Sequence, residues 1–305
     1  MNTIIPFLKN ATTPRPKAAI LLSGSGSNAE KIIQKWRQAD APPFDIATLF
    51  TDAPERSRAR ELAETYELSL IENDIRRFYR DHGQTRMTIA TPEGQNIREK
   101  WTAAARNQLT EKNVAFCIMA GFVPLTNLTV DFPSLNVHPG DLTYLKNGRR
   151  HLVGLHTVPV ERAILEGLEA MRSSVIIAQP YTGKGGEMDS GPILGISDEV
   201  EIDLQGNSLD ELRASAADRP ERRPKGGYKD ELERVADYNQ TRLKEEGDWV
   251  VFPQVIFDFA AGRFGTNTNN ELFFYASNSW VPVRTVIYGK NQREILLRRE
   301  EPQAT

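Results

Sequence analysis

The chain has 305 residues, of which 39% are hydrophobic and 26% charged, with a formal net charge of −3. That length can bury one large core or two modest ones, and the slight acidity argues against a general nucleic-acid or membrane-surface binder, so any basic site must be local. The single cysteine, Cys117, excludes an intramolecular disulfide framework and, inside the run VAFCIMAGF, fits a small buried hydrophobe in a reducing compartment.

The opening MNTIIPFLKNATTPRPK carries too short an apolar stretch for a signal peptide, and no segment reaches the roughly 18 apolar residues of a membrane span. A cytoplasmic protein is expected. Apolar runs at 18–22, 44–50, 68–71, 114–119 and 135–137 predict strands, with helical patterns between them at 29–38, 55–66, 94–110 and 124–130. This alternation implies parallel strands joined by right-handed crossovers. The expected fold class is α/β: an open, mostly parallel Rossmann-like sheet with helices on both faces, plus a short C-terminal β extension. A helix at 158–167 and strands at 174–179 and 193–200 continue the pattern. Residues 214–231, ASAADRPERRPKGGYKDE, read as an exposed inserted loop, with the arginines and lysine of 219–225 facing solvent. A helix over 229–261 follows, then two or three short strands in 271–299. The expected division is an α/β domain over 17–264 and a β-rich extension over 265–305.

The first strand runs straight into Ser-Gly-Ser-Gly-Ser-Asn and then into an amphipathic helix. Such a turn aims backbone N–H groups and the positive end of the helix dipole at one point, which suits phosphate. Gly24 and Gly26 let an anion approach the backbone, Ser23, Ser25 and Ser27 offer hydroxyl donors, and Ser27 or Asn28 can cap the helix. Ser25, Gly26, Ser27 and Asn28 are the candidate phosphate-binding residues. No P-loop lysine and no third glycine of the dinucleotide fingerprint follow. Taken alone, such a turn is structural about as often as it is an anion site.

In FPSLNVHPGDL, residues 132–142, Asn136 and His138 stand two apart on a strand and project to the same side. Pro139 and Gly140 stop that strand at the carboxyl edge, where open α/β sheets bind ligands. An amide donor beside an imidazole suits a reaction at a carbonyl: one holds a developing oxyanion while the other moves a proton. The plainer reading is that both satisfy strand-end backbone groups. Asp189, in GGEMDSGPILGIS with Gly185, Gly186 and Gly191 around it, reads alone as a turn residue. Set against His138, its carboxylate could orient the ring as the acid of a triad does.

Taken in order, SGSGSN, MAGFVPLTNL, NVHPG, GLHT and DSGPI, closing with DWVVFPQVIFDFAAGRF, resemble the formyltransferase family over about residues 17–264. Within that family the first turn, Ser23 to Asn28, most resembles that of the phosphoribosylglycinamide formyltransferase branch. The resemblance implies 10-formyltetrahydrofolate as co-substrate, a small amine as acceptor, no metal, and neither nucleic acid nor membrane as partner. It also implies roles. Asn136 matches the oxyanion-binding asparagine, His138 the proton-transferring histidine and Asp189 the histidine-orienting aspartate, while the turn from Ser23 to Asn28 holds the substrate's phosphate. Gly121 and Phe122 match the segment flanking the folate pterin, with Val123 to Leu125 lining its pocket.

Three departures bear on acceptor and cofactor. HPGDLTYL is more like sugar-amine formyltransferases, Ile176 stands where the glycinamide branch carries a second histidine, and IAQPYTGKGGEM lengthens the loop expected over folate. Alternatives therefore include a sugar-amine formyltransferase, a formyltetrahydrofolate hydrolase and a non-catalytic ligand-binding homologue. A methionyl-tRNA formyltransferase is disfavoured by the acidity and by the short segment after Phe264. KNGRR, residues 146–150, reads as a solvated loop or as a guide for a phosphate or the folate tail. His138, His151 and His156 lack the compact spacing of a metal site.

Overall fold

The computed structural model describes residues 3–8, 15–181, 188–290 and 292–297. Twelve strands form one sheet: β1 (Ile5–Pro6), β2 (Lys17–Leu21), β3 (Asp45–Thr51), β4 (Leu70–Glu72), β5 (Phe116–Met119), β6 (Ser134–His138), β7 (Ser174–Ile177), β8 (Ile193–Ser197), β9 (Phe264–Thr266), β10 (Leu272–Ala276), β11 (Ser279–Tyr288) and β12 (Arg293–Leu297). Their spatial order is β1-β9-β10-β11-β8-β7-β6-β5-β2-β3-β4, with β12 paired to β11. Eight helices accompany them among the described residues: α1 (Ser27–Gln38), α2 (Ala59–Tyr66), α3 (Ile75–Asp81), α4 (Pro92–Glu111), α5 (Val158–Leu165), α6 (Leu209–Ala217), α7 (Glu231–Leu243) and α8 (Trp249–Ala260).

The block β6-β5-β2-β3-β4 is wholly parallel, as the alternation of strand and helix patterns requires. Side chains of β2 alternate between two cores. Ala18 and Ile20 pack with α1, α2 and α8, whereas Ala19 and Leu21 pack with α3 and α4. Helices therefore cover both faces, and strands buried on both sides read as continuous apolar runs. Beyond β6 the sheet turns antiparallel through β7 and β8. The strand β11 then pairs parallel to β8, which brings the strands after residue 264 into the same sheet.

Four local readings are corrected. The expected helix over 229–261 is divided by a π-helical turn, Lys244–Asp248. There Gly247 lies so close to Ser173 that a Cβ would sit 2.7 Å from its Oγ, and the wider turn presents Asp248 to that hydroxyl. The stretch read as a loop from 214 begins inside α6, which a capping box of Ser208 and Glu211 starts. The pattern at 124–130 yields only a 3-10 turn, Asn127–Val130, capped by Thr126. The fourth correction concerns Arg219, which is not solvent-facing. Its side chain is 12% exposed, because it bridges Glu161 and Asp230 and lies over the ring of Tyr228. Helix α3 was not expected, although Ile75, Phe78 and Tyr79 stand at i, i+3 and i+4 and pack into the second core; Asp74 starts it by accepting from the N–H groups of Arg76 and Arg77.

Candidate active site

The carboxyl ends of β2, β5 and β6 lie side by side, because those strands are adjacent and parallel. Everything that follows gathers at that edge, the ligand-binding edge of open α/β sheets.

After β2 the chain is pinned by the N–H of Leu22 on the Phe50 carbonyl (3.0 Å) and the N–H of Ser23 on the Gly121 carbonyl (3.2 Å). The cap of α1 is Gly26, neither Ser27 nor Asn28, and no side chain bonds the first turn. Gly26 has φ +64°, and a Cβ there would lie 2.8 Å from Leu62 Cδ1, so both backbone and space require glycine. Gly24 differs, since nothing lies within 4 Å of a Cβ built on it. The N–H groups of Ser27, Asn28 and Ala29 consequently open α1 without partners among the described residues. The side chains around them are already committed. Ser23 donates to Asp52 (2.5 Å) and accepts from the N–H of Val123 (2.9 Å). Asn28 donates to Asp248 at 3.2 Å, while its own Oδ1 is buried without a partner. Asp248 also accepts from Ser173, and burial pushes its pKa up to about 6. Ser25 and Ser27 keep their hydroxyls 3.5 Å apart, bonded among the described residues to nothing but each other.

Gly121 takes φ +78°. Phe122 turns into the second core, stacked on Trp101 with an interplanar angle of 16° and edge-on to Phe50. Val123 is 78% exposed, and the Leu125 carbonyl accepts from Arg98 at 2.7 Å. The side chain that this segment offers to a ligand is therefore that of Val123, together with its main chain.

Asn136 and His138 share one side of β6, as the period of two requires. His138 is 3% exposed. Its Nε2–H donates to the Leu152 carbonyl at 2.8 Å, so the neutral ring carries its lone pair on Nδ1, which lies 3.6 Å from Asp189 Oδ2. Gly140 permits this, because a Cβ there would lie 2.6 Å from the Leu152 oxygen. Burial lowers the His138 pKa below its ordinary 6.5; Asp189 and the Leu152 bond oppose that shift, and the nearby Arg150 adds to it. The imidazole is thus neutral near pH 7 and ready to accept a proton. Asn136 is half-buried, and its amide has no hydrogen-bond partner among the described residues.

The structure thus brings His138 and Asp189 together with Asn136 on the same strand, while Gly185, Gly186 and the rest of 182–187 lie outside the described residues. The three histidines face different partners. His151 pairs with Glu166, and His156 is exposed with φ +57°. Sequence reasoning missed Arg150. Its guanidinium donates to the main-chain carbonyls of Asp189 and, at 2.7 Å, Gly191. A signal was available: Asn147-Gly148, both at positive φ, make a two-residue hairpin turn. In such a hairpin Arg149 and Arg150 must face opposite sides.

This is an open α/β domain with the fold of the formyltransferases. Similar solved structures include the phosphoribosylglycinamide formyltransferase of Coxiella burnetii, 16% identical with a TM-score of 0.56 over 90% of this chain and 100% of that one. Glycinamide ribonucleotide transformylase 1 of Symbiobacterium toebii is 20% identical, with a TM-score of 0.53 over 86% of this chain and 95% of that one. The formyltetrahydrofolate deformylase of Burkholderia mallei is 14% identical, with a TM-score of 0.50 over 86% of this chain and 71% of that one. At these identities the likeness is one of fold, and it agrees with the resemblance carried by the five motifs. No protein-family profile and no curated protein matches the sequence. Among the described residues, no helix is long and apolar enough to cross a membrane.

Proposed function

We propose that the protein is a folate-dependent N-formyltransferase that moves a formyl group from 10-formyltetrahydrofolate to the amine of a small phosphorylated acceptor resembling glycinamide ribonucleotide, in a cytoplasmic, purine-synthesising setting. One observation carries this reading: a buried, neutral His138 held between the Leu152 carbonyl and Asp189, with the amide of Asn136, unpaired among the described residues, on the same side of β6.

The chemistry follows from those atoms. The acceptor amine attacks the formyl carbon and forms a C–N bond. The carbonyl oxygen becomes an oxyanion, to which the Asn136 amide donates. His138 Nδ1 takes the proton from the attacking nitrogen, and the Asp189 carboxylate stabilises the imidazolium. Collapse breaks the bond to the folate nitrogen, which receives that proton and leaves as tetrahydrofolate. One oxyanion donor supplies about 10²- to 10³-fold in rate, and one general base about 10²- to 10⁴-fold. The open N–H groups of Ser27, Asn28 and Ala29, with the hydroxyls of Ser25 and Ser27, suit the acceptor's phosphate. Gly121, Phe122, Val123 and Leu125 would flank the folate, with Phe122 contributing through its main chain.

Tetrahydrofolate release from 10-formyltetrahydrofolate, measured with and without candidate amines, tests the reading. Release that requires glycinamide ribonucleotide or another phosphorylated amine supports it. Equal release in water alone favours the hydrolase reading, which the likeness to the Burkholderia mallei deformylase keeps in play. Release only with amino sugars would move the acceptor to that class.

A further inference from the structure

Two members of the candidate site come from segments with little structure of their own. Asp189 sits in a three-residue 3-10 turn, Met188–Ser190, too short to hold itself in place. Two contacts tie that turn to β7 and the residues after it. The N–H of Gln179 donates to the Met188 carbonyl (3.0 Å), and Gly191 packs so tightly that a Cβ would lie 1.9 Å from the Ile177 oxygen. A further tether is Arg150, whose two Nη groups grip the carbonyls of Asp189 and Gly191. The guanidinium holds the main chain and leaves the Asp189 carboxylate free to face His138.

The same segment holds the other partner, since the Leu152 carbonyl accepts the His138 Nε2–H. Helix α5 in turn anchors the segment. Arg162 donates to the carbonyls of His151 (2.9 Å) and Val153 (2.7 Å), on either side of Leu152, and Glu166 just beyond the helix pairs with His151 (2.9 Å).

We infer that residues 150–152 form the positioning element of the His138–Asp189 pair, with Arg150 fixing the turn that presents the Asp189 carboxylate. A planar fork can hold two carbonyls in fixed relation, which a lysine ammonium cannot. Arg150 is a positioning residue that acts through Asp189, and its catalytic consequence rests on the function proposed above.

Arg150→Lys keeps the charge and removes the fork. The charged groups facing His138 are Asp189 and Arg150, so with the cation retained, a freed Asp189 should let the His138 pKa fall when the ring is titrated by NMR. In formyl transfer, kcat should fall about 10- to 100-fold with KM for both substrates within about twofold. The titration needs no substrate, so a fallen pKa without any formyl transfer upholds the clamp and sinks the proposed reaction. A folded Arg150→Lys protein whose His138 titrates as in wild type overturns the inference, whatever happens to kcat. Should that variant fail to fold, Arg162→Lys loosens the same segment at its root, and the same two outcomes decide.

Discussion

The glycine turn after β2 and the end of β6 occupy one edge of the sheet but are built in opposite ways. At the turn the side chains are committed elsewhere: Ser23 to Asp52 and Val123, Asn28 to Asp248. What stays open is the main chain at the start of α1, with the hydroxyls of Ser25 and Ser27 beside it. On β6 the backbone is paired with β5 on one side and β7 on the other, and the side chains of Asn136 and His138 are what remains available. The first arrangement suits holding an anion by geometry, the second suits changing bonds by chemistry. Substitutions should therefore separate: those on β6 act on kcat, and those at the turn act on acceptor KM and on stability.

His138→Ala is the most severe test of that division, with an expected loss of about 10²- to 10⁴-fold in kcat. Asn136→Ala should cost about 10²- to 10³-fold. Acceptor KM should move little in both, and the thermal midpoint should hold in Asn136→Ala but fall in His138→Ala, which empties a buried site and leaves the Leu152 carbonyl unpaired. A large KM change without a kcat change would break the comparison.

Asp248 sharpens it from the other side, because this carboxyl braces the turn through Asn28. Its pKa is about 6 when folded against an ordinary 3.8, so the folded state binds its proton more readily. Its contribution to stability is fully present below about pH 4 and is lost as pH rises through about 6, a swing of roughly 3 kcal/mol. Asp248→Asn should remove that swing, so that the variant gains stability relative to wild type at pH 8 more than at pH 4 in denaturant melts. His138 has the opposite sign: its lowered pKa means stability lost as pH falls through and below the ordinary 6.5. The same shift should place the acid limb of kcat/KM below pH 6.5.

The two glycines give a finer contrast. Gly26→Ala must adopt positive φ and push against Leu62, costing about 1–3 kcal/mol in unfolding free energy. Gly24→Ala meets open space and should leave stability within about 0.5 kcal/mol while raising the acceptor KM. The smallest effect expected is from Ser27→Ala, which keeps the N–H groups; acceptor KM should rise by no more than a few-fold.

Much of this was legible from local pattern. The alternation of apolar runs and helical stretches implied the parallel block, and a period of two put Asn136 and His138 on one side. Pro139 and Gly140 marked where that strand stops. The Asn147-Gly148 turn signal went unread, because KNGRR was taken as a solvated loop or an anion guide, and the alternation that separates Arg150 from Arg149 went unread with it.

The sequence by itself determined the elements, their periodicities and the types of side chain at the strand ends, because backbone dihedral preference and amphipathic spacing act over a few residues. Only the tertiary structure decided that the Asp189 turn meets His138, that Arg150 holds carbonyls rather than an anion, that Asn28 is tied to Asp248 and that Arg219 bridges Glu161 and Asp230. Those pairings join groups far apart in the chain. They depend on the order of strands in the sheet and on the need of each buried polar atom for a partner, and neither leaves a local trace.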